Sequence, residues 1–221
     1  MFKLPENYLF EMKELLKDEY DDYLKSFEEK RIYGLRVNTL KISVEDFLKI
    51  SPFHLTPVPW TKDGFYYEEE DRPGKHPYYH AGLYYLQEPS AMFPAEALPV
   101  EKGDLVLDCC AAPGGKSSKL AAKLQESGTL FANDISISRA QVLLQTLERT
   151  GVKNAVIMAE DITKIDRFHE SFDKILIDAP CSGAGMFRKE NDLIRSYAEK
   201  GSDYYVPIQK AIIAKALDLC K

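Results

Sequence analysis

Apolar and polar positions divide the chain into two differently patterned stretches. From Glu6 to Lys30 the apolar residues Leu9, Met12, Leu15, Leu16, Tyr20, Tyr23, Leu24 and Phe27 recur at helical spacing with acids between them, which predicts a surface helix. Leu35 to Leu40 alternates as a half-buried strand, and Ser43-Val44-Glu45-Asp46 reads as an N-cap leading into Phe47 and Leu48. From Ser51 to Tyr79, prolines, glycines and the acidic run Glu68 to Asp71 predict short strands, loops and solvated surface.

The pattern changes at Asp104. Short apolar runs at Leu105–Cys109, Thr129–Asn133, Ala155–Met158 and Lys174–Asp178 alternate with helical stretches at Ser117–Leu124 and Ser136–Thr150, the latter stopped by Gly151. Buried strands alternating with helices predict an α/β class: a parallel sheet with helices on both faces over residues 101–221, preceded by a small α+β domain over 1–100. A last helix runs from Val206 to Cys220. The Ile175-Leu176-Ile177 strand would stand at or near a sheet edge although its composition suits a covered position, so the sheet is expected to be incomplete, with its C-terminal strands beyond Lys221.

Composition narrows the class. With 45% hydrophobic residues among 221, the chain can bury a core, and no apolar run approaches the roughly 20 residues of a membrane span. The N-terminus has no signal-peptide stretch, so the expected location is cytoplasmic, with no membrane partner. Four irregularly spaced cysteines form neither a disulfide framework nor Cys-x-x-Cys metal pairs, so no metal is expected. A formal charge of −6 argues mildly against a nucleic-acid partner.

Candidate chemistry lies in the second stretch. Ligands in parallel sheets bind beyond the carboxyl ends of the strands, where a glycine turn lets the backbone approach and a helix offers free amides. Cys110-Ala111-Ala112-Pro113-Gly114-Gly115-Lys116 occupies that place. It is not a P-loop, because Cys110 stands where the first glycine belongs, and a Gly-x-Gly-x-x-Gly fingerprint is also absent. Asp134 ends the second strand where α/β cofactor sites place an acid against ribose, and Asp161 ends the third, suited to an adenine amino group. Each acid alone also reads as a cap or loop residue. The fourth strand runs into Asp178-Ala179-Pro180-Cys181-Ser182-Gly183, a carboxylate and a thiol in one loop.

Asp108-Cys109-Cys110-Ala111-Ala112-Pro113-Gly114-Gly115-Lys116 and Asp178-Ala179-Pro180-Cys181-Ser182-Gly183 resemble the first and fourth motifs of the Sun-type RNA cytosine-5 methyltransferases. Residues 35–40, Gln87 to Met92 and Gly185-Met186-Phe187-Arg188-Lys189 support the likeness, the last resembling the bacterial RsmF-like branch that acts on ribosomal RNA. The resemblance implies a Rossmann-like class I methyltransferase sheet, S-adenosylmethionine bound by residues 110–116, Asp134, Asp161 and Asp178, and RNA as partner. It implies catalytic roles for Asp178, at the base, and Cys181, in product release. The family assigns attack on carbon 6 to a later Thr-Cys thiol. That dipeptide does not occur here, so the attacking cysteine is expected beyond Lys221.

Two other readings stay open: an amino-group methyltransferase, which usually carries Asp/Asn-Pro-Pro-Tyr/Phe at the fourth strand, and a non-catalytic ribosome-assembly scaffold. For RNA, Arg188, Lys189 and Arg195, with Arg31, Arg36 and Lys41, are candidate phosphate contacts. Tyr78, Tyr79, Tyr84 and Tyr85 are candidate base-stacking residues, for which packing is the competing role.

Overall fold

The computed structural model describes residues 4–221. In chain order come α1 (Glu6–Leu16), α2 (Tyr20–Ser26), β1 (Tyr33–Val37), α3 (Val44–Ile50), β2 (Thr56–Pro57), β3 (Gly64–Tyr67), α4 (Pro77–His80), β4 (Tyr84–Leu86) and α5 (Pro89–Ala97). Then follow β5 (Leu105–Asp108), α6 (Gly115–Leu124), β6 (Thr129–Asn133), α7 (Ile137–Thr150), β7 (Ala155–Met158), β8 (Lys174–Leu176), α8 (Asn191–Lys200) and α9 (Val206–Leu219). Compactness groups them into two units, Met1–Arg31 with Ala179–Ala211 and Ile32–Asp178 with Ile212–Lys221.

In the larger unit, β2-β3-β1-β4 form an antiparallel sheet over Leu35, Val37, Phe47, Phe65 and Tyr84. Strand β1 stops at Val37, short of the expected Leu40, because Asn38 turns its side chain to other partners: its amide donates to Gly82 O and Thr150 O, and its oxygen accepts from Leu40 N. Ser43 does cap α3, accepting from Asp46 N at 3.1 Å.

The second sheet is parallel, with order β7-β6-β5-β8, and its core gathers Val106, Leu120, Leu130, Leu143 and Leu147. Strand order thus runs outward in both directions from β5, and the reversal falls between β5 and β8, where such sheets open a crevice for ligands. Strand β8 ends at Leu176, earlier than the pattern predicts, and β7 leaves Val156 42% exposed, so it is less buried than its composition suggests. Helix α7 begins after Ser136, which accepts from Arg139 N, and ends at Gly151 with φ +81°.

The smaller unit packs α1, α2 and α8 around Tyr8, Phe187 and Tyr197, whose rings meet edge-to-face at 5.0–5.5 Å. Such pairs each add about 1 kcal/mol beyond their buried area. The single helix expected over Glu6–Lys30 is two, because Lys17 takes φ +49° and ends α1. Among the described residues no helix is long and apolar enough to cross a membrane.

Candidate active site

Strand β5 delivers Asp108 to the switch point. Its side chain is 1% exposed; Oδ2 accepts from Ser117 Oγ at 2.7 Å, while Oδ1 has no hydrogen-bond partner. Burial, chiefly, pushes its carboxyl up to about 6, with Asp178 adding to the rise and Ser117 opposing it. An ionisable oxygen buried without a partner is costly unless something supplies a donor.

The turn then folds on itself: Ala111 N donates to Asn133 O at 2.7 Å and Gly114 N to Ala111 O at 2.8 Å. Gly114 has φ +108°, and an added Cβ would come within 2.9 Å of Thr146 Cγ2, so side chains are refused there on two counts. No side chain caps α6 at this end, which leaves its first amides for an anion. Beneath the helix, Arg36 is 2% exposed and donates to Gly115 O (2.8 Å), Ser118 Oγ (2.7 Å) and Gln87 Oε1 (3.2 Å).

Asn133 ties the strand ends together. Its amide donates to Cys109 O and Glu160 O, and its oxygen accepts from Glu160 N, so the termini of β5, β6 and β7 share one buried side chain. Next to it, Asp134 is 2% exposed, accepts from Ser136 N at 3.0 Å and meets Arg139 at 3.2 Å; Arg139 also donates to Ala112 O. Asp161 accepts from Thr163 N and Oγ1 and pairs with Lys164, contacts that hold its carboxyl below the usual range. Asn133 and Arg139 were not singled out from sequence; an amide at a strand end and an arginine in the first turn of the helix that follows Asp134 were the available signals.

Asp178 lies two residues past β8, and Lys116 Nζ reaches its Oδ2 at 2.5 Å. The first and fourth motifs therefore touch. In the smaller unit Cys181, three residues further along the chain, is exposed. The other thiols differ: Cys109 is 1% exposed and burial pushes it strongly up, and Cys110 is pushed up to about 12, first by burial and then by Asp108, Asp134 and Asp178. Cys220 sits in a parallel bridge to Phe172. No group of described residues has the spacing of a metal site.

Several candidate RNA contacts are structural instead. Arg36 is buried under α6, and Lys41 Nζ donates to Ala81 O and Arg149 O, both at 2.7 Å, capping the end of α7. Tyr84 is fully buried, its hydroxyl donating to Pro73 O, and Tyr79 and Tyr85 lie under the Arg149 guanidinium. Arg188 is exposed, yet it donates to Ser26 O and Glu29 O.

A parallel sheet reversing at β5, a glycine turn with an uncapped helix behind it, and acids at four strand ends together define an α/β domain of the methyltransferase type. The chain belongs to the 16S rRNA methyltransferase RsmB/F family, whose description matches residues 95–221, while residues 4–89 match the N-terminal domain of 16S rRNA methyltransferase RsmF. It is 38% identical over 225 residues to ribosomal RNA small subunit methyltransferase F of Erwinia tasmaniensis, covering 96% of this chain and 47% of the relative. A counterpart of the same name from Photobacterium profundum is also 38% identical, covering 99% and 48%. The chain thus spans about half the length of the curated relatives it matches. Among solved structures, a methyltransferase homologue from Pyrococcus horikoshii superposes with a TM-score of 0.77 at 34% identity, covering 92% of this chain and 65% of that one.

Proposed function

We propose that this chain carries the cofactor site and part of the base-binding machinery of an S-adenosylmethionine-dependent RNA cytosine-5 methyltransferase acting on 16S ribosomal RNA, a substrate compatible with a cytoplasmic location. The observation that carries the reading is Asp178, held by Lys116 of the glycine turn and followed by Pro180 and Cys181. The residues present fit the cofactor. Asp108 Oδ1 is a buried acceptor in need of a donor such as an ammonium, and Lys116 with the uncapped amides of α6 suits a carboxylate. Asp134 suits ribose hydroxyls, and Asp161 an adenine amino group.

When bound, the cofactor supplies an electrophilic methyl group on a sulfonium sulfur. Carbon 5 of cytosine reacts with it only after a thiolate adds at carbon 6. Asp178 hydrogen-bonds the base at ring nitrogen 3 and the amino group, which stabilises the charge that the addition creates. Cys181, exposed in the loop, assists loss of the carbon 5 proton, after which the carbon 6–sulfur bond breaks and the attacking thiolate leaves. Burial pushes the Cys109 and Cys110 thiols up, which makes both poor candidates for that attack. The full-length protein, given 16S RNA containing 5-fluorocytosine, is expected to form a covalent protein–RNA adduct, since fluorine at carbon 5 blocks the last elimination. Methyl label on an exocyclic amine, or cofactor binding with no transfer to any RNA, would overturn the reading in favour of an amino-group enzyme or a scaffold.

A further inference from the structure

The smaller unit contains a cavity of about 530 Å³ that the chemistry above does not use. Half-buried Tyr23 gives it an aromatic wall, backed by Tyr8 and Tyr197 at 2% exposure; Glu11 adds a carboxylate, and Ser182 and Gly185, from the segment just after Cys181, its remaining side. Glu11 is fixed in place: Oε2 accepts from Tyr197 Oη at 2.6 Å and from Ser202 Oγ at 2.9 Å. Both bonds fall on one oxygen, and a carboxylate has acceptor capacity for more. The Tyr8 and Tyr23 hydroxyls bond each other, so the rings are held rather than free to fill the space.

The lining chemistry narrows the ligand. None of the described lining residues is a cation, and a carboxylate sits in the wall, so a phosphate is excluded. An accessible aromatic ring beside an acceptor selects a planar, uncharged group with N–H donors, and the volume falls within the 300–1,000 Å³ of small-ligand sites. On the same unit Lys189 is exposed and not part of the cavity lining, where it can meet a sugar-phosphate backbone. We infer that this cavity is a subsite for an unpaired base of the RNA substrate, one bearing an exocyclic amino group that donates to Glu11 while its ring packs on Tyr23. The inference rests on the RNA methyltransferase reading above. Single-stranded RNA is commonly read in this way, base by base on aromatic faces.

The test uses the full-length protein and a short RNA spanning the cytosine methylated in 16S RNA, with each neighbouring nucleotide made abasic in turn. One abasic position is expected to raise KM about tenfold with kcat within twofold. Leu15 lines the cavity but is 70% exposed, so Leu15→Trp fills the space without disturbing the core. It should raise KM for the parent RNA by a similar factor and cost nothing further on the abasic RNA. Glu11→Gln should weaken the parent RNA but not one carrying uracil, which lacks an amino group, at that position. Indifference to every abasic position, or an unchanged KM for Leu15→Trp, would overturn the subsite while leaving the methyltransferase reading intact. A parent RNA left unmethylated by the unaltered protein would overturn that reading, and the subsite with it.

Discussion

Lys116 and Asp178 form an ion pair of 2.5 Å between the first turn of α6 and the residue two past β8, with the ammonium the more enclosed partner at 16% side-chain exposure against 52%. The glycine turn proposed for the cofactor and the acid proposed for the base are thereby coupled, so their substitutions should separate binding from chemistry. Asp178→Asn, in the full-length protein, is expected to leave cofactor affinity within about threefold but slow single-turnover methyl transfer by about 10²–10⁴-fold, the range for loss of a positioned acid. Lys116→Met should weaken cofactor binding as well. Calorimetry and rapid-quench transfer assays measure both, and a wild-type rate for Asp178→Asn would remove it from the chemistry.

The buried carboxyl of Asp108 makes a pH prediction. Its folded value of about 6 lies above the roughly 3.9 of an unfolded Asp, so between pH 4 and 6 the folded chain binds more protons. Its contribution is therefore fully present below pH 4 and is lost as pH rises through 6, amounting to about 3 kcal/mol for a two-unit difference. Asp108→Asn keeps an acceptor for Ser117 and has no titration, so the variant should gain stability over wild type across that window and hold the gain at pH 7. Urea titrations at several pH values give the difference; a constant difference from pH 4 to 7 would show that Asp108 does not titrate there.

What was legible in the sequence depended on how local its cause is. Helix α7 reads correctly because Ser136 and Gly151 mark its ends within the chain itself. The four parallel strands read correctly because they are short apolar runs between helices. Arg36 read wrongly: its burial follows from Gly115 and Ser118, some 80 positions away, and an arginine beside a strand looks the same whether it faces phosphate or a helix. Helix α8 drew notice for its charges alone, since its apolar residues face α1, a partner that no local window contains. For the site, the turn and the acids were visible as motifs, whereas Asn133 and the Lys116–Asp178 contact arise only when separate strands align.

Lys119 of α6 meets Asp63, just before β3, at 2.8 Å and Glu96 of α5 at 2.7 Å, with 10% of its side chain exposed. Replacing it by Met fills the volume but strands two enclosed carboxylates, a loss of about 3–5 kcal/mol by precedent for broken buried pairs. Adding Asp63→Asn and Glu96→Gln to Lys119→Met should recover much of that loss, because the cost lies in the unpaired charge. Chemical denaturation of the wild type and the two variants decides it; equal stability of the single and triple variants would place the cost in packing.

Asn133 should govern cofactor affinity without touching the cofactor. Its amide holds Cys109 O at 3.2 Å and Glu160 O at 2.9 Å, and its oxygen holds Glu160 N at 3.1 Å, so it sets the relative positions of the glycine turn, Asp134 and the segment carrying Asp161. A net hydrogen bond is worth about 1 kcal/mol, and a buried group left without a partner costs about 1–3 kcal/mol. Asn133→Leu removes all three bonds, and Asn133→Asp keeps only the acceptor for Glu160 N while turning an oxygen towards two carbonyls. Both should weaken cofactor binding by about tenfold or more, but hydrogen exchange separates them: the Glu160 amide stays protected in Asn133→Asp and opens in Asn133→Leu. A merely space-filling residue would show the opposite order of damage, with the apolar Leu tolerated and cofactor affinity retained.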